Sequence, residues 1–188
     1  MSEAIDPKLF RQTLGQFATG VCVIATEVDG QVHGMTANAV SSLSLDPMLI
    51  LFCVAKKAKM AELMKQAQGF SVNILRDEQQ ALSTYFAGGW KEPKAPPFRF
   101  VPWTGGPRLE GCAAAIGCRL HQLVEGGDHW IVIGEVQALH LGIEPRNPLI
   151  FHAGMYRKLD RAEKEPAPPD LDQTKSDISV FLDPWDEK

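Results

Sequence analysis

Two glycine-containing turns between apolar segments direct this chain toward an antiparallel sheet. Asp29-Gly30 follows a β-branched run at residues 21–26, and Asp-Gly is a preferred two-residue hairpin turn. Two longer strand-like runs, at residues 112–124 and 130–141, flank the sequence Glu125-Gly126-Gly127-Asp128. Strands joined by short turns pair antiparallel, so the sequence predicts a sheet built of hairpins and not a parallel nucleotide-binding sheet.

Further strand-like runs occupy residues 48–54, 70–75 and 149–159. Residues 48–54 are continuously apolar, which predicts a strand buried on both faces. The chain therefore has roughly six or more strands with two or three helices, and this favours a mainly β, antiparallel barrel.

Three segments have the apolar spacing of helices. The first begins at Asp6-Pro7 and is expected to end at Gly20. The second covers residues 58–68, and the third begins at Asp77 and ends at Gly88-Gly89. The apolar face of the first helix consists of Leu9, Phe10, Leu14 and Phe17, and that of the third of Leu82, Tyr85 and Phe86.

Two segments lie outside these elements. Residues 90–107 are rich in proline and aromatic residues, so we expect a loop that packs either on its own domain or over a bound ligand. We assign residues 1–160 to one domain and residues 161–188 to a charged, proline-rich tail. The apolar end of the tail, at 178–185, either docks on the barrel or a neighbouring subunit or stays disordered.

The composition excludes several functional classes. The chain has 188 residues, a formal net charge of −4 and 22% charged residues, without a basic patch for nucleic acid. Its apolar runs are too short to span a membrane, and the acidic first residues do not resemble a signal peptide. We expect a cytoplasmic protein that binds neither nucleic acid nor membrane.

The cysteines indicate a core role. Cys22, Cys53, Cys112 and Cys118 all lie among apolar or small residues, where a free thiol behaves as a small apolar side chain. Cys112, Cys118 and His121 do not form the close pairs typical of zinc sites, so no metal site is predicted.

Residues 34–47 carry small and hydroxyl-bearing side chains where a buried strand would carry large apolar ones. Such a backbone can approach a flat, polar-edged ligand closely and hydrogen-bond to it; a serine-rich edge strand is the alternative. The chain contains neither G-x-G-x-x-G nor a Walker motif, and no nucleophile elbow. If the protein is an enzyme, a bound cofactor is expected to carry the chemistry.

Taken together, the ordered segments resemble the flavin reductase family, whose members supply reduced flavin to two-component monooxygenases. The resemblance covers roughly residues 8–159. It rests on residues 18–26, 34–47, 48–54, 70–75, 126–129 and 148–156. It implies an FMN-binding split β-barrel, usually homodimeric, that passes hydride from NADH or NADPH to FMN or FAD.

The resemblance also assigns the flavin contacts. Thr36, Ala37 and Asn38 would border the isoalloxazine ring, and Ser41 and Ser42 would lie toward the ribityl chain and phosphate.

The family commonly carries Ser-x-Thr after the buried strand, but this chain has Ala58-Lys59-Met60 there. Both hydroxyl groups are missing. We therefore expect a phosphate contact from Lys56 or Lys59, in a segment that begins at Ala55; solvation of the helix start by these lysines is the alternative.

The remaining assignments concern the nicotinamide nucleotide. The Gly-Asp-His element ending at His129 would contact the nucleotide, with Asp128 orienting the imidazole ring. His129 is the one residue that we predict to act in catalysis, through binding and orientation. Tyr156 and Arg157 would lie near the same pocket; a barrel-closing tyrosine with a solvated arginine is the alternative.

The sequence thus predicts an NAD(P)H-dependent flavin reductase with a partner monooxygenase. The alternatives are a non-catalytic flavin-binding or electron-storage protein, and a flavoenzyme that reduces a metal complex or corrinoid. The sequence does not distinguish FMN from FAD or NADH from NADPH.

Overall fold

The computed structural model describes residues 5–142 and 147–159, and the predicted tail at 161–188 lies outside them. The described residues form three short helices, α1 (Pro7–Leu14), α2 (Lys59–Met64) and α3 (Gln80–Phe86). The strands are β1 (Thr19–Gly20), β2 (Cys22–Val28), β3 (Gln31–Ala37), β4 (Val40–Leu45), β5 (Met48–Ala55), β6 (Gly69–Ile74), β7 (Phe100–Val101), β8 (Arg108–Leu109), β9 (Ala114–Gly126), β10 (His129–Leu141), β11 (Ile150–His152) and β12 (Met155–Arg157).

The main sheet has seven antiparallel strands in the order β3-β2-β6-β9-β10-β5-β4. Its end strands, β3 and β4, are joined by only Asn38 and Ala39. In a flat sheet these strands would lie ~29 Å apart, whereas the chain from Ala37 to Val40 spans at most ~11 Å. The sheet therefore curls into a barrel, and β3 and β4 meet at Asn38 and Ala39, a point that we call the closure. Beside it, the Cys53 N–H of β5 donates to the Ala39 carbonyl at 3.0 Å, which continues the pairing of β4 with β5.

Both predicted hairpins are confirmed. Asp29 and Gly30 have φ values of +52° and +72° between the paired residues Val28 and Gln31, as a type I′ turn requires. In the longer hairpin His129 pairs with Gly126, so Gly127-Asp128 is the turn.

The barrel interior is filled from several strands and from α2. Met60 and Met64 of α2 are fully buried, as are Phe52 and Phe70, whose ring centroids lie 5.0 Å apart. Burial of each such side chain contributes about 1.5–3 kcal/mol. A Cβ at Gly134 would lie 2.4 Å from the Phe70 ring, so this strand position needs glycine.

A second core cluster lies beside α3, where Leu82 packs with Val23 of β2 and Leu109 of β8 and with the partly buried Phe86 and Phe100. The aromatic loop packs here on its own domain, with Phe98 4.9 Å from Phe86 between ring centroids. Gly34 makes room for this packing, because a Cβ there would lie 2.7 Å from the Phe86 ring.

Three predictions about element bounds and burial were wrong. The first helix ends at Leu14, not at Gly20, because Thr19–Gly20 pairs with β11 and the Gly15 carbonyl accepts from the Ala153 N–H at 2.8 Å. In β5 only the inward-facing residues Ile50, Phe52 and Val54 are buried, because the other face lies outside the barrel. The second helix is also shorter than predicted and stops before β6 begins.

The four cysteines are free, and Cys22, Cys112 and Cys118 are buried, as predicted. Burial raises the pKa of Cys22 and of Cys118 to about 12, so both thiols stay protonated near neutral pH. Among the described residues, no helix has the length and apolar character needed to cross a membrane.

Candidate active site

The closure between β3 and β4 brings the small predicted flavin residues to one edge of the barrel. Ala37 is buried, whereas Asn38, Ser41 and Ser42 are exposed. The Ser41 hydroxyl donates only locally, to the Ser42 carbonyl at 3.0 Å. This edge therefore offers solvent a surface of small side chains with polar groups.

Two hydrogen bonds fix the closure from outside the main sheet. The Thr36 hydroxyl donates to the Ser83 carbonyl on α3 at 2.7 Å, and the Asn38 amide donates to the Thr19 hydroxyl at 3.2 Å. A hydroxyl has one proton, so Thr36 is left with acceptor capacity only. Donors toward a ligand would come from Asn38, the Ser42 hydroxyl and free backbone N–H groups.

The end of β5 lies beside the turn of the β9–β10 hairpin. Ala55 pairs with His129, and the Lys56 N–H donates to the Asp128 carbonyl at 3.0 Å. The Lys56 ammonium donates to the Glu125 carboxylate and lies 5.2 Å from the centroid of the Trp130 ring.

Lys59 differs from Lys56. It is the first residue of α2 and is exposed, and no hydrogen bond or ion pair holds its ammonium within residues 5–142 and 147–159. The residue before it, Ala58, makes no side-chain cap to the helix.

Asp128 fixes the proton arrangement of His129. The imidazole Nδ1 lies 2.7 Å from the Asp128 carboxylate, and the hydrogen bond from His129, followed by its charge, lowers the pKa of Asp128. An ionised carboxylate only accepts, so Nδ1 carries the proton and donates it. In the neutral ring Nε2 is therefore an acceptor.

The two groups of predicted residues share one rim of the barrel. Cys53 of β5 bonds to Ala39 at the closure, and Ala55, two residues further, pairs with His129. Ala39 and His129 lie on opposite sides of β5, about 10 Å apart across the sheet and about 7 Å apart along it, so one extended planar ligand could reach both the closure and the hairpin turn.

Tyr156 and Arg157 are placed differently. Tyr156 is half-buried, packs against Phe151 at 5.5 Å between ring centroids, and its hydroxyl lies 2.8 Å from that of Ser83. Ser83 joins it to the closure, since the same residue accepts from Thr36. Arg157 is exposed, and no hydrogen bond or ion pair in the described part of the chain joins it to His129.

Sequence reasoning missed four residues of this rim. Thr19 and Ser83 hold the closure, while Glu125 and Trp130 hold Lys56. Each acts through a partner far away in the sequence, which leaves no local motif.

A cleft of about 830 Å³ lies elsewhere, over Gly34 on the outer face of β3. Its lining includes Tyr85, Phe86, Trp90, Phe98 and Phe100, and none of the predicted flavin or nucleotide residues.

Comparisons with known proteins show the family to which the chain belongs. Residues 14–160 match the model of the flavin reductase-like domain. The chain is 37% identical over 185 residues to the reductase subunit HsaB of a flavin-dependent monooxygenase from Rhodococcus jostii, covering 96% of this chain and 90% of that protein.

Two solved structures are similar. The flavin reductase PheA2 in its native state matches with a TM-score of 0.79 and 42% identity, over 84% of this chain and 100% of that one. The NADH:FAD oxidoreductase SgcE6 of Streptomyces globisporus C-1027, in complex with NAD and FAD fragments, matches with a TM-score of 0.72 and 32% identity, over 90% and 99% of the two chains. The resemblance seen in the sequence is thereby confirmed, and the chain belongs to the flavin reductase-like family.

Proposed function

We propose that this protein is an NADH-dependent flavin reductase that supplies reduced flavin to a partner monooxygenase. The observation that supports this proposal most is the shared rim, where the small residues of the β3–β4 closure and His129 flank the same end of β5, at Cys53 and Ala55. The relatives support the two halves of the proposal, since HsaB is named a monooxygenase reductase subunit and SgcE6 an NADH:FAD oxidoreductase.

The residues present fit a flavin. Ala37 and Asn38 leave the backbone open to close approach, and the exposed Ser42 can donate to the ribityl chain and phosphate, while Ser41 would accept or give up its bond to the Ser42 carbonyl. Thr36 would contact the ring edge through its backbone or as an acceptor, because its hydroxyl proton is bound by Ser83. A bound flavin supplies the hydride-accepting N5 atom.

The part played by the chain is alignment. His129 would bind the nicotinamide carboxamide through Nε2, which can accept from its NH₂ group, and would orient C4 of the nucleotide toward the flavin. Hydride transfer requires no proton from the enzyme, so proximity and orientation account for the expected rate enhancement. Tyr156 shapes the rim through its hydrogen bond with Ser83. Arg157 is exposed and would be either a solvated residue or a contact for the pyrophosphate of the nucleotide, away from His129.

The active form is proposed to be a homodimer. Helix α1 has no buried residue, and its apolar side chains Leu9, Phe10 and Leu14 are more than half exposed. A helix of eight residues is not stable alone in water, so a second copy covering this face would stabilise it. Helix α1 is close in the chain to the proposed flavin edge, because Thr19, five residues after the helix ends, accepts a hydrogen bond from Asn38.

The function is tested by anaerobic stopped-flow absorbance with FMN or FAD. We expect the flavin absorbance to bleach on mixing with NADH, and more slowly or not at all without the protein. Bound flavin that NADH and NADPH both leave oxidised would favour the electron-storage alternative. If NADH reduces the bound flavin but added free flavin is not reduced in further turnovers, the result would favour a flavoenzyme that reduces another acceptor.

His129→Ala should lower kcat/KM for NADH by a factor equivalent to about 1–3 kcal/mol of transition-state binding, because one oriented hydrogen bond is lost. Flavin affinity should stay nearly unchanged. The exposed His121 on β9 gives the matched control, His121→Ala, which should behave as wild type. An unchanged kcat/KM in His129→Ala would remove His129 from the site.

Lys59→Ala should weaken binding of FMN or FAD, since Ala58 and Met60 cannot donate to a phosphate. Riboflavin, which lacks the phosphate, should respond little, and added salt should weaken FMN binding by the wild type. Lys65→Ala, at the other end of α2, is the control. If riboflavin and FMN lose equal affinity, the lysine acts through folding.

Phe10→Ser and Leu14→Ser should shift the protein from dimer to monomer in light scattering coupled to size exclusion. Both side chains are about 60% exposed in the single chain, so their loss should leave the barrel folded. Gln12→Ser changes a polar residue of the same helix and should stay dimeric. A wild type that is monomeric at micromolar concentration would refute the dimer.

A further inference from the structure

Lys56 is held entirely by the β9–β10 hairpin. Its N–H donates to the Asp128 carbonyl at 3.0 Å, its ammonium donates to the Glu125 carboxylate, and the same ammonium lies 5.2 Å from the Trp130 ring centroid. These partners lie on both sides of the turn at Gly127-Asp128. One residue at the end of β5 therefore holds both strands of the hairpin where they reverse.

The turn needs such a restraint. Gly127 has a φ of +67°, and a Cβ built there would meet no atom within 4 Å. Glycine gives this turn wide conformational freedom, and the strand ladder alone ends at the pair His129–Gly126. The imidazole of His129 follows the turn directly, so the position of the ring depends on how well the turn is held.

The charge of Lys56 is compensated. The hydrogen bond from Lys56, followed by its charge, lowers the pKa of Glu125, so the carboxylate is ionised near neutral pH. An incoming phosphate would have to displace this carboxylate. Lys59, by contrast, is exposed and has no such partner in the described part of the chain.

We infer that Lys56 is a positioning residue: its pair with Glu125 and its stacking on Trp130 fix the hairpin turn that presents His129. It would thus serve the nicotinamide nucleotide, while of the two lysines only Lys59 serves the flavin phosphate. This inference rests on the proposed function, and it assigns Lys56 a different role from the phosphate contact that the sequence predicts.

The test uses four variants of the full chain. Lys56→Met keeps the apolar stem beside Trp130 and removes the charge, and Glu125→Gln keeps the shape of the carboxylate. The double variant combines them, and Lys56→Arg keeps both the ion pair and the stacking. Lys65→Met, which breaks an exposed ion pair with Glu62 away from the hairpin, is the matched control.

Lys56→Met and Glu125→Gln should each raise the KM for NADH about two- to fivefold, the range expected for an exposed ion pair, with a smaller change in kcat. The double variant should be no worse than either single one, because both remove the same interaction. Lys56→Arg and Lys65→Met should resemble the wild type. The affinities for FMN and riboflavin should stay unchanged in all of them.

Hydrogen exchange of the amides at residues 125–129 gives a readout independent of turnover. It should speed up in Lys56→Met and Glu125→Gln and stay slow in Lys56→Arg. Unchanged exchange in the first two variants would overturn the inference.

Three kinetic results would also overturn it. They are an unchanged KM for NADH in either single variant, effects that multiply in the double variant, and a loss of FMN but not riboflavin affinity in Lys56→Met. If the wild type itself does not oxidise NADH with any flavin, the proposed function fails instead. Exchange at the turn then still decides whether Lys56 holds it.

Discussion

The two-residue connection between β3 and β4 is the constraint on which the site depends. These strands end a seven-stranded sheet, and Asn38 and Ala39 are too short to join them unless the sheet closes. The strands can approach this closely only if the side chains between them are small. This explains why alanine, asparagine and serine lie at the end of β3, in the connection and at the start of β4. The residues proposed to meet the flavin are therefore the residues that make closure possible.

Strand β5 extends this constraint to the second half of the site. It contacts the closure at Cys53 and the β9–β10 hairpin at Ala55, and its alternate residues fill the barrel. The core thus sets the distance between the two groups. Because the fully buried Phe52 and Phe70 lie edge to face in the interior, a shift of β5 would disturb core packing before it moved the site.

Local chemistry explains what the sequence predicted well. The turn at Asp29-Gly30 needs two residues with positive φ, and few residue pairs supply this. The glycines at residues 126 and 127 located the reversal of the long hairpin, but the sequence left the turn spread over residues 125–128, whereas only Gly127-Asp128 forms it. The family resemblance located the site on these elements.

Long-range packing explains what the sequence could not predict. The first helix stops early because β1 pairs with β11, more than a hundred residues away in the chain. From the sequence, Lys56 is either a phosphate contact or a solvated lysine beside a helix start, and only the pairing of β5 with β10 shows its contact with Glu125. Ser83 likewise joins Thr36 to Tyr156 across three separate segments.

Amide hydrogen exchange with and without saturating FMN locates the flavin most directly. The account predicts slower exchange at residues 36–42 and 55–59, with little change over the aromatic cleft at residues 85–100, because the closure and the end of β5 form the cofactor rim. Protection confined to residues 85–100, with residues 36–42 unchanged, would contradict it and place the flavin on the outer face of β3.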